Sequence, residues 1–194
     1  ERVLCNESGG VQDQIAASFG GMNRINFNAE GYTVNPVIIS PERKKLLNRN
    51  LMLFFTGFSR FSSDIQVAAE SKQNQLLEML SLVDDAEKIL TSKTDLEEFG
   101  RLLDYTWQLK RGITDKVSTD SIDAVYSRAL QAGATGGKLL GAGGGGFLLF
   151  YVDPDKQENV RKALENLLYV PFEFENGGTR VIDYTPESYE PVNA

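Results

Sequence analysis

Two rhythms of apolar residues divide the chain. Leu51-Met52-Leu53-Phe54-Phe55 is an unbroken apolar run of strand length, and Phe147 to Val152 is a second one; both predict fully buried strands. Between them the apolar positions recur at three- and four-residue steps. Ile65, Ala68, Ala69, Leu76, Met79, Leu80, Val83 and Leu90 predict one long helix over about 64–91 with a single buried stripe. Leu96, Phe99, Leu102, Leu103 and Leu109 predict a helix over about 95–111, and Ile122, Val125, Tyr126 and Ala129 another over 121–132. Asp153-Pro154 starts a further helix, with Val160, Ala163, Leu164 and Leu167 on its inner face. Short alternating stretches predict strands at 24–27 and 32–34 about a turn at Glu30-Gly31, and again at 169–174 and 179–184. Residues 1–8 read as the end of a helix, and Gly9-Gly10 and Gly20-Gly21 bracket another over 13–19. Interleaved in this way, the elements predict an α+β architecture: an antiparallel or mixed sheet with helices on one face.

Composition narrows the chemistry. With 41% apolar residues, the 194-residue chain can bury a real core. A net charge of −7 argues against a nucleic-acid surface but permits an anionic ligand held by local cations or oriented N–H groups. Histidine is absent, which removes Ser-His-Asp hydrolysis, Cys-His proteolysis and most zinc sites. Acid–base work must fall to Asp, Glu, Lys or Tyr. Cys5 is the single cysteine, which excludes an internal disulfide and fits a reducing compartment. No apolar stretch reaches the length of a membrane span and no signal-peptide pattern is present, so the expected setting is cytoplasmic, with no membrane or nucleic-acid partner.

Glycines concentrate the candidate chemistry. Residues 138–147 read Lys-Leu-Leu-Gly-Ala-Gly-Gly-Gly-Gly-Phe and lead straight into the second apolar run. A glycine cluster lets the main chain approach a polar ligand with N–H groups pointing outward, and a nucleotide phosphate is the commonest such object. A flexible linker is the alternative, but linkers alternate with Ser or Pro and do not abut a core strand. Earlier, Gly9-Gly10-Val11-Gln12-Asp13 places a carboxylate at a helix start, where the helix N-terminus favours its charged form. A plain helix cap and a working carboxylate both fit Asp13 taken alone.

Together these segments resemble two motifs of one family. Gly-Xaa-Xaa-Asp-Gln followed more than a hundred residues later by Gly-Ala-Gly-Gly-Gly-Gly-Phe is similar, in order and spacing, to the second and third motifs of the GHMP kinases. Val11 to Ile25 and Leu53-Phe54-Phe55-Thr56-Gly57-Phe58-Ser59-Arg60 most resemble the branch that phosphorylates the anomeric hydroxyl of D-glycero-D-manno-heptose 7-phosphate; galactose- or fucose-type sugar kinases are the alternative, as is a non-catalytic relative. The resemblance implies a GHMP kinase-like fold in which residues 1–45 are a remnant of the N-terminal domain and 46–194 the C-terminal domain. It implies ATP and Mg²⁺ as cofactors and a sugar phosphate as substrate. Asp13 falls at the position of the catalytic carboxylate, which would orient the sugar hydroxyl and take its proton. Glu1 falls where a Mg²⁺-binding glutamate is expected, though a solvated terminal charge fits it too. Gly141, Gly143, Gly144, Gly145 and Gly146 match the motif beside the phosphates. Gly10, Gln12, Thr56, Gly57, Ser59 and Arg60 fall on the substrate side, where Arg60 fits a phosphate contact and a surface ion pair equally well.

The family's first motif, a Gly-Leu-Gly-Ser-Ser-Ser-type loop around the nucleotide phosphates, does not occur in these residues. The expectation is therefore the C-terminal part of a kinase, inactive alone, whose partner is the N-terminal kinase segment.

Overall fold

A computed structural model describes residues 10–57, 73–113, 117–141 and 143–183. The chain divides into two compact units, one holding Val37–Phe174 and the other Val11–Pro36 with the chain from Glu175 onward.

In the smaller unit, α1 (Gln12–Phe19) is followed by the hairpin of β1 (Asn23–Asn28) and β2 (Gly31–Pro36), paired antiparallel from Asn23↔Pro36 to Asn28↔Gly31. Gly20 ends the helix with φ 65° and returns its N–H to Ala16. Backbones touch here: a Cβ on Gly20 would fall 2.2 Å from the Gly177 carbonyl carbon, and one on Gly178 would fall 1.8 Å from Ser18 O. Thr179 N–H donates to Ala17 O at 3.0 Å and Gly21 N–H to Glu175 O at 2.9 Å. Two glycine pairs thus let one stretch of main chain lie on another. The strand expected at 179–184 is absent over its described residues, because this segment spends its N–H on a helix end and forms no ladder.

The larger unit is built on a four-stranded antiparallel sheet in the order β4-β5-β3-β6, with β3 Leu51–Phe55, β4 Ala134–Leu139, β5 Phe147–Val152 and β6 Leu168–Tyr169. The two apolar runs pair with each other, Leu51↔Tyr151 through Phe55↔Phe147. Leu148, Phe150 and Val152 are fully buried among Met52, Phe54, Trp107, Ile122, Tyr126, Val160 and Leu164. The helices are α2 (Pro41–Asn50), α3 (Gln73–Thr91), α4 (Glu97–Arg111), α5 (Asp120–Gln131) and α6 (Gln157–Ala163). Thr119 caps α5 by accepting from Ile122 N–H, and Ser40 caps α2 by accepting from Arg43 N–H. Among the described residues this makes six helices and two antiparallel sheets, an α+β fold.

Three expectations are corrected. Helix α2 lay outside the predicted elements. The stripe on α3 is not buried over its described part: Leu80 is 66% exposed, Leu76 39% and Val83 40%, and Leu90 alone enters the core. Ile65, Ala68 and Ala69 of that stripe lie outside the described residues. The strand expected over 169–174 stops at Tyr169, because beyond Val170 its partner becomes a side chain: Asn48 Nδ2 donates to Phe172 O and Asn48 Oδ1 accepts from Phe174 N–H, both at 3.0 Å.

Candidate functional site

Glycine conformation shapes the loop between β4 and β5. Gly141, Gly143, Gly144 and Gly146 all have positive φ, from 74° to 127°. A Cβ on Gly141 would meet nothing within 4 Å, and one on Gly146 only Leu140 O at 3.9 Å. At these two positions the turn itself, not crowding, calls for glycine. Leu140 N–H donates to Phe147 O at 2.8 Å and closes the loop's neck.

Two of the expected outward N–H groups point inward instead. Gly144 donates to Val117 O at 2.9 Å, and Gly146 donates to Thr56 Oγ1 at 3.1 Å. The N–H groups of Gly141, Gly143 and Gly145 make no hydrogen bond among the described residues. Thr56, at the end of β3, answers Gly146 twice: its hydroxyl and its N–H both bond to Gly146 O at 2.9 Å. The fold therefore brings together two candidate residues ninety positions apart. Val117, which holds Gly144, sits in a short segment fixed by Asp123, whose carboxylate accepts from Ser118 Oγ at 2.6 Å and Arg111 at 2.5 Å.

Charge reaches the loop from two lysines that the motif reading passed over. Lys110, in the last turn of α4, donates from Nζ to Gly141 O. Lys138 stands on β4, three residues ahead of that glycine. Burial, reinforced by repulsion from Lys138, pulls the Lys110 ammonium down to about 8; burial alone lowers Lys138. Neither lysine enters an ion pair among the described residues. Two desolvated cations beside a glycine turn make a place where an anion is welcome.

Helix α4 can reach the loop because it lies very close to β4. A Cβ on Gly136 would fall 2.1 Å from Gly100 O and one on Gly100 would fall 2.9 Å from Tyr151 Cβ, so two glycines let α4 lie against β4 and β5. Tyr126 braces it from α5: its hydroxyl bonds to Asp104 Oδ1 at 2.5 Å and accepts from Gly137 N–H at 3.2 Å. Burial, with Asp104 beside it, holds that phenol protonated far above its ordinary range.

Asp13 occupies the first turn of α1 and is exposed. Val11 holds the N-cap position with no side-chain bond, so Asp13 is not the cap. Gly10 and Gln12 are also exposed, as is Gly57, which has φ 80° and open space about it. Asp13 belongs to the smaller unit and the glycine loop to the larger. Glu1, Ser59 and Arg60 lie outside the described residues. Among the described residues the lysines and loop N–H groups fit a phosphate, whereas no cluster of His, Cys, Asp or Glu is placed to cage a metal ion. No described helix is long and apolar enough to cross a membrane.

Comparison with known proteins gives this architecture a class. Residues 84–170, from α3 through β6 to Val170, match the family described as GHMP kinases C terminal. The chain is 36% identical over 162 residues to the D-glycero-alpha-D-manno-heptose 7-phosphate kinase of Campylobacter jejuni, covering 80% of this chain and 48% of that protein. A solved structure described as a D-glycero-D-manno-heptose 1-phosphate kinase from Bacteroides thetaiotaomicron superposes with a TM-score of 0.69 at 28% identity, covering 94% of this chain and 53% of that one. A putative sugar kinase from Campylobacter jejuni gives 0.63 at 31% identity, covering 92% and 52%. Residues 84–170 are thus a GHMP kinase C-terminal domain, and the similarity to kinases of that family extends over most of the chain. The chain spans about half the length of the Campylobacter heptose kinase and of both solved structures.

Proposed function

We propose that this chain is the C-terminal part of an ATP- and Mg²⁺-dependent sugar kinase that phosphorylates the anomeric hydroxyl of D-glycero-D-manno-heptose 7-phosphate. Residues 1–45 are then the part of the N-terminal domain that bears the second motif, and 46–194 the C-terminal domain. The observation that carries the reading is the glycine turn clamped to Thr56 and flanked by Lys110 and Lys138, which enter no ion pair among the described residues. Phosphoryl transfer needs positioning and charge stabilisation around the migrating group, and that is what such a loop offers. The similarity to the Campylobacter heptose kinase supports the choice of sugar.

Within this reading Asp13 orients the attacking hydroxyl and accepts its proton. The N–H groups of Gly141, Gly143 and Gly145, with Lys110 and Lys138, receive phosphate oxygens. Gly10, Gln12 and Gly57 line the sugar side, and Ser59 and Arg60 take its 7-phosphate. Glu1 would be one Mg²⁺ ligand among several, the others coming from phosphate and water. These 194 residues contain no loop to wrap the triphosphate, so turnover is expected only with the N-terminal kinase segment present.

The test is to supply that segment and assay sugar-1-phosphate formation by mass on heptose 7-phosphate, galactose and fucose. Preference for the heptose phosphate is expected. Arg60→Ala should then raise the KM for the sugar phosphate more than that for ATP. Equal activity on galactose or fucose would reassign the substrate, and absence of phosphoryl transfer to any sugar would overturn the kinase reading.

A further inference from the structure

Helix α2 carries a charge at odds with the rest of the chain. It reads Pro-Glu-Arg-Lys-Lys-Leu-Leu-Asn-Arg-Asn, four cations and one carboxylate in a protein of net charge −7. The helix sorts these cations onto two flanks. Arg43 turns toward the end of α3, where its guanidinium donates to Leu90 O at 2.9 Å, Ile89 O at 2.6 Å and Thr94 O at 2.5 Å. Lys44, Lys45 and Arg49, with Pro41 and Asn48, line one wall of a cleft of about 540 Å³ whose other wall is Glu173 and Phe174.

The cleft is built rather than incidental. Asn48 bonds both sides of the facing strap, to Phe172 O and from Phe174 N–H. Val170 N–H donates to Leu53 O at 2.8 Å, so the strap is registered on β3 before it reaches the helix. Phe172 supports the Phe174 ring edge to face at 5.8 Å, and Lys44 Nζ stands 5.9 Å from the Phe174 centroid. One flat aromatic surface and three cations therefore share a half-open site lined by one acid, Glu173, with the exposed Glu42 beside Lys45. Helix α2 enters β3 at Leu51, whereas the glycine loop is clamped at Thr56 after its last residue. Five residues of strand, roughly 17 Å, separate the two places.

We propose that this cleft binds an aromatic phosphate monoester of mononucleotide size, its phosphate among Lys44, Lys45 and Arg49 and its ring on Phe174. The three cations lie within six residues of one helix, which suits one doubly charged group. The volume is that of a small-ligand pocket, and the aromatic wall gives a ring a face to stack on. A polynucleotide would need a basic path beyond the cleft, which a chain of net charge −7 does not favour. The inference does not depend on the kinase reading.

The 194-residue chain can be titrated by NMR with AMP, adenosine, inorganic phosphate and a short RNA, following the Asn48 side-chain amide and the Phe174 N–H. AMP is expected to shift both signals with saturation, at least tenfold more tightly than adenosine or phosphate alone. Because Lys45 and Arg49 are exposed, Lys45→Gln/Arg49→Gln should keep the fold, read by Trp107 fluorescence, and weaken AMP tenfold or more. Phe174→Leu should weaken AMP several-fold and leave inorganic phosphate unchanged. Equal affinity for AMP in the double variant, or AMP shifts at Gly144 and Gly146 instead, would overturn the site. Phosphate binding as tightly as AMP would overturn the aromatic half of it, and tighter RNA binding would overturn the small-ligand assignment.

Discussion

Gly136→Ala separates close packing from turn formation in the glycine-rich stretch. The backbone at Gly136 is not in the left-handed region, so its reason for being glycine must be contact. An ideal Cβ there stands 2.1 Å from Gly100 O and 2.9 Å from Asp104 Cβ. Carbon and carbonyl oxygen rest at about 3.3 Å or beyond, so α4 and β4 must part by roughly 1 Å. Overpacking of this kind costs about 1–3 kcal/mol and sometimes more. The parting also strips contacts from Leu103 and the fully buried Trp107 on the same helix, which brings the expected loss to about 3–4 kcal/mol. For a domain of this size that is a fall of roughly 10–20 °C in Tm. Trp107 is the single tryptophan, so its emission reports on this interface during thermal melting. Gly141→Ala is the control: open space surrounds it, and φ 75° alone should cost about 1–2 kcal/mol. A Gly136→Ala variant melting within 3 °C of the parent, or one less damaged than Gly141→Ala, would refute the packing argument.

If the proposed kinase reading holds, Asp13→Asn in a chain supplied with a GHMP kinase N-terminal segment should keep the fold and lower kcat by roughly 10²–10⁴, checked by steady-state rates beside circular dichroism. Thr56→Val removes the hydroxyl that both gives to and takes from Gly146; about 1–2 kcal/mol should be lost, read from urea midpoints, with a loop more readily cut by protease. Lys110 makes stability pH-dependent with a definite sign. Its folded pKa, about 8, lies below the usual lysine value, so the unfolded chain binds the extra proton between about pH 8 and 10.5 and stability rises with pH across that window. Lys138 adds to the same slope, while above pH 10 the raised tyrosines Tyr126 and Tyr151 pull the other way. Urea midpoints at pH 7.5, 8.5 and 9.5 should increase for the parent and increase less for Lys110→Met; equal slopes would remove Lys110 from the account.

Apolar patterning reached the parts of the fold that patterning controls. The runs 51–55 and 147–152 are the central antiparallel pair, and the helices at 97–111 and 120–131 carry the predicted core residues Leu103, Ile122, Tyr126 and Ala129. Helix α2 escaped because Leu46 and Leu47 are its sole apolar residues, although Ser40-Pro41 is a start signal that a cap-first reading would find. Strand β4 escaped because Gly136 and Gly137 carry no side chains to alternate. Lys110 looked like an ordinary basic residue closing a helix, and what marks it, the carbonyl of Gly141, lies thirty-one positions away.

These omissions share a cause that also divides the glycine motif. Periodicity reads one element at a time, whereas Thr56 with Gly146, Gly100 with Gly136, and Asn48 with Phe172 and Phe174 are relations between elements far apart in the chain. From Gly136 to Gly146 the sequence looks like one glycine-rich loop, yet the residues do two jobs. Gly136 and Gly137 lie inside a strand and make room, the first for α4 and the second for the Phe150 ring and the Leu149 carbonyl. Gly141, Gly143, Gly144 and Gly146 turn the chain through conformations that side chains resist. Gly136 brings α4 close enough for Lys110 to meet the turning group at Gly141. A substitution at Gly136 should therefore reach the loop by moving Lys110, and one among the four turning glycines by reshaping the turn.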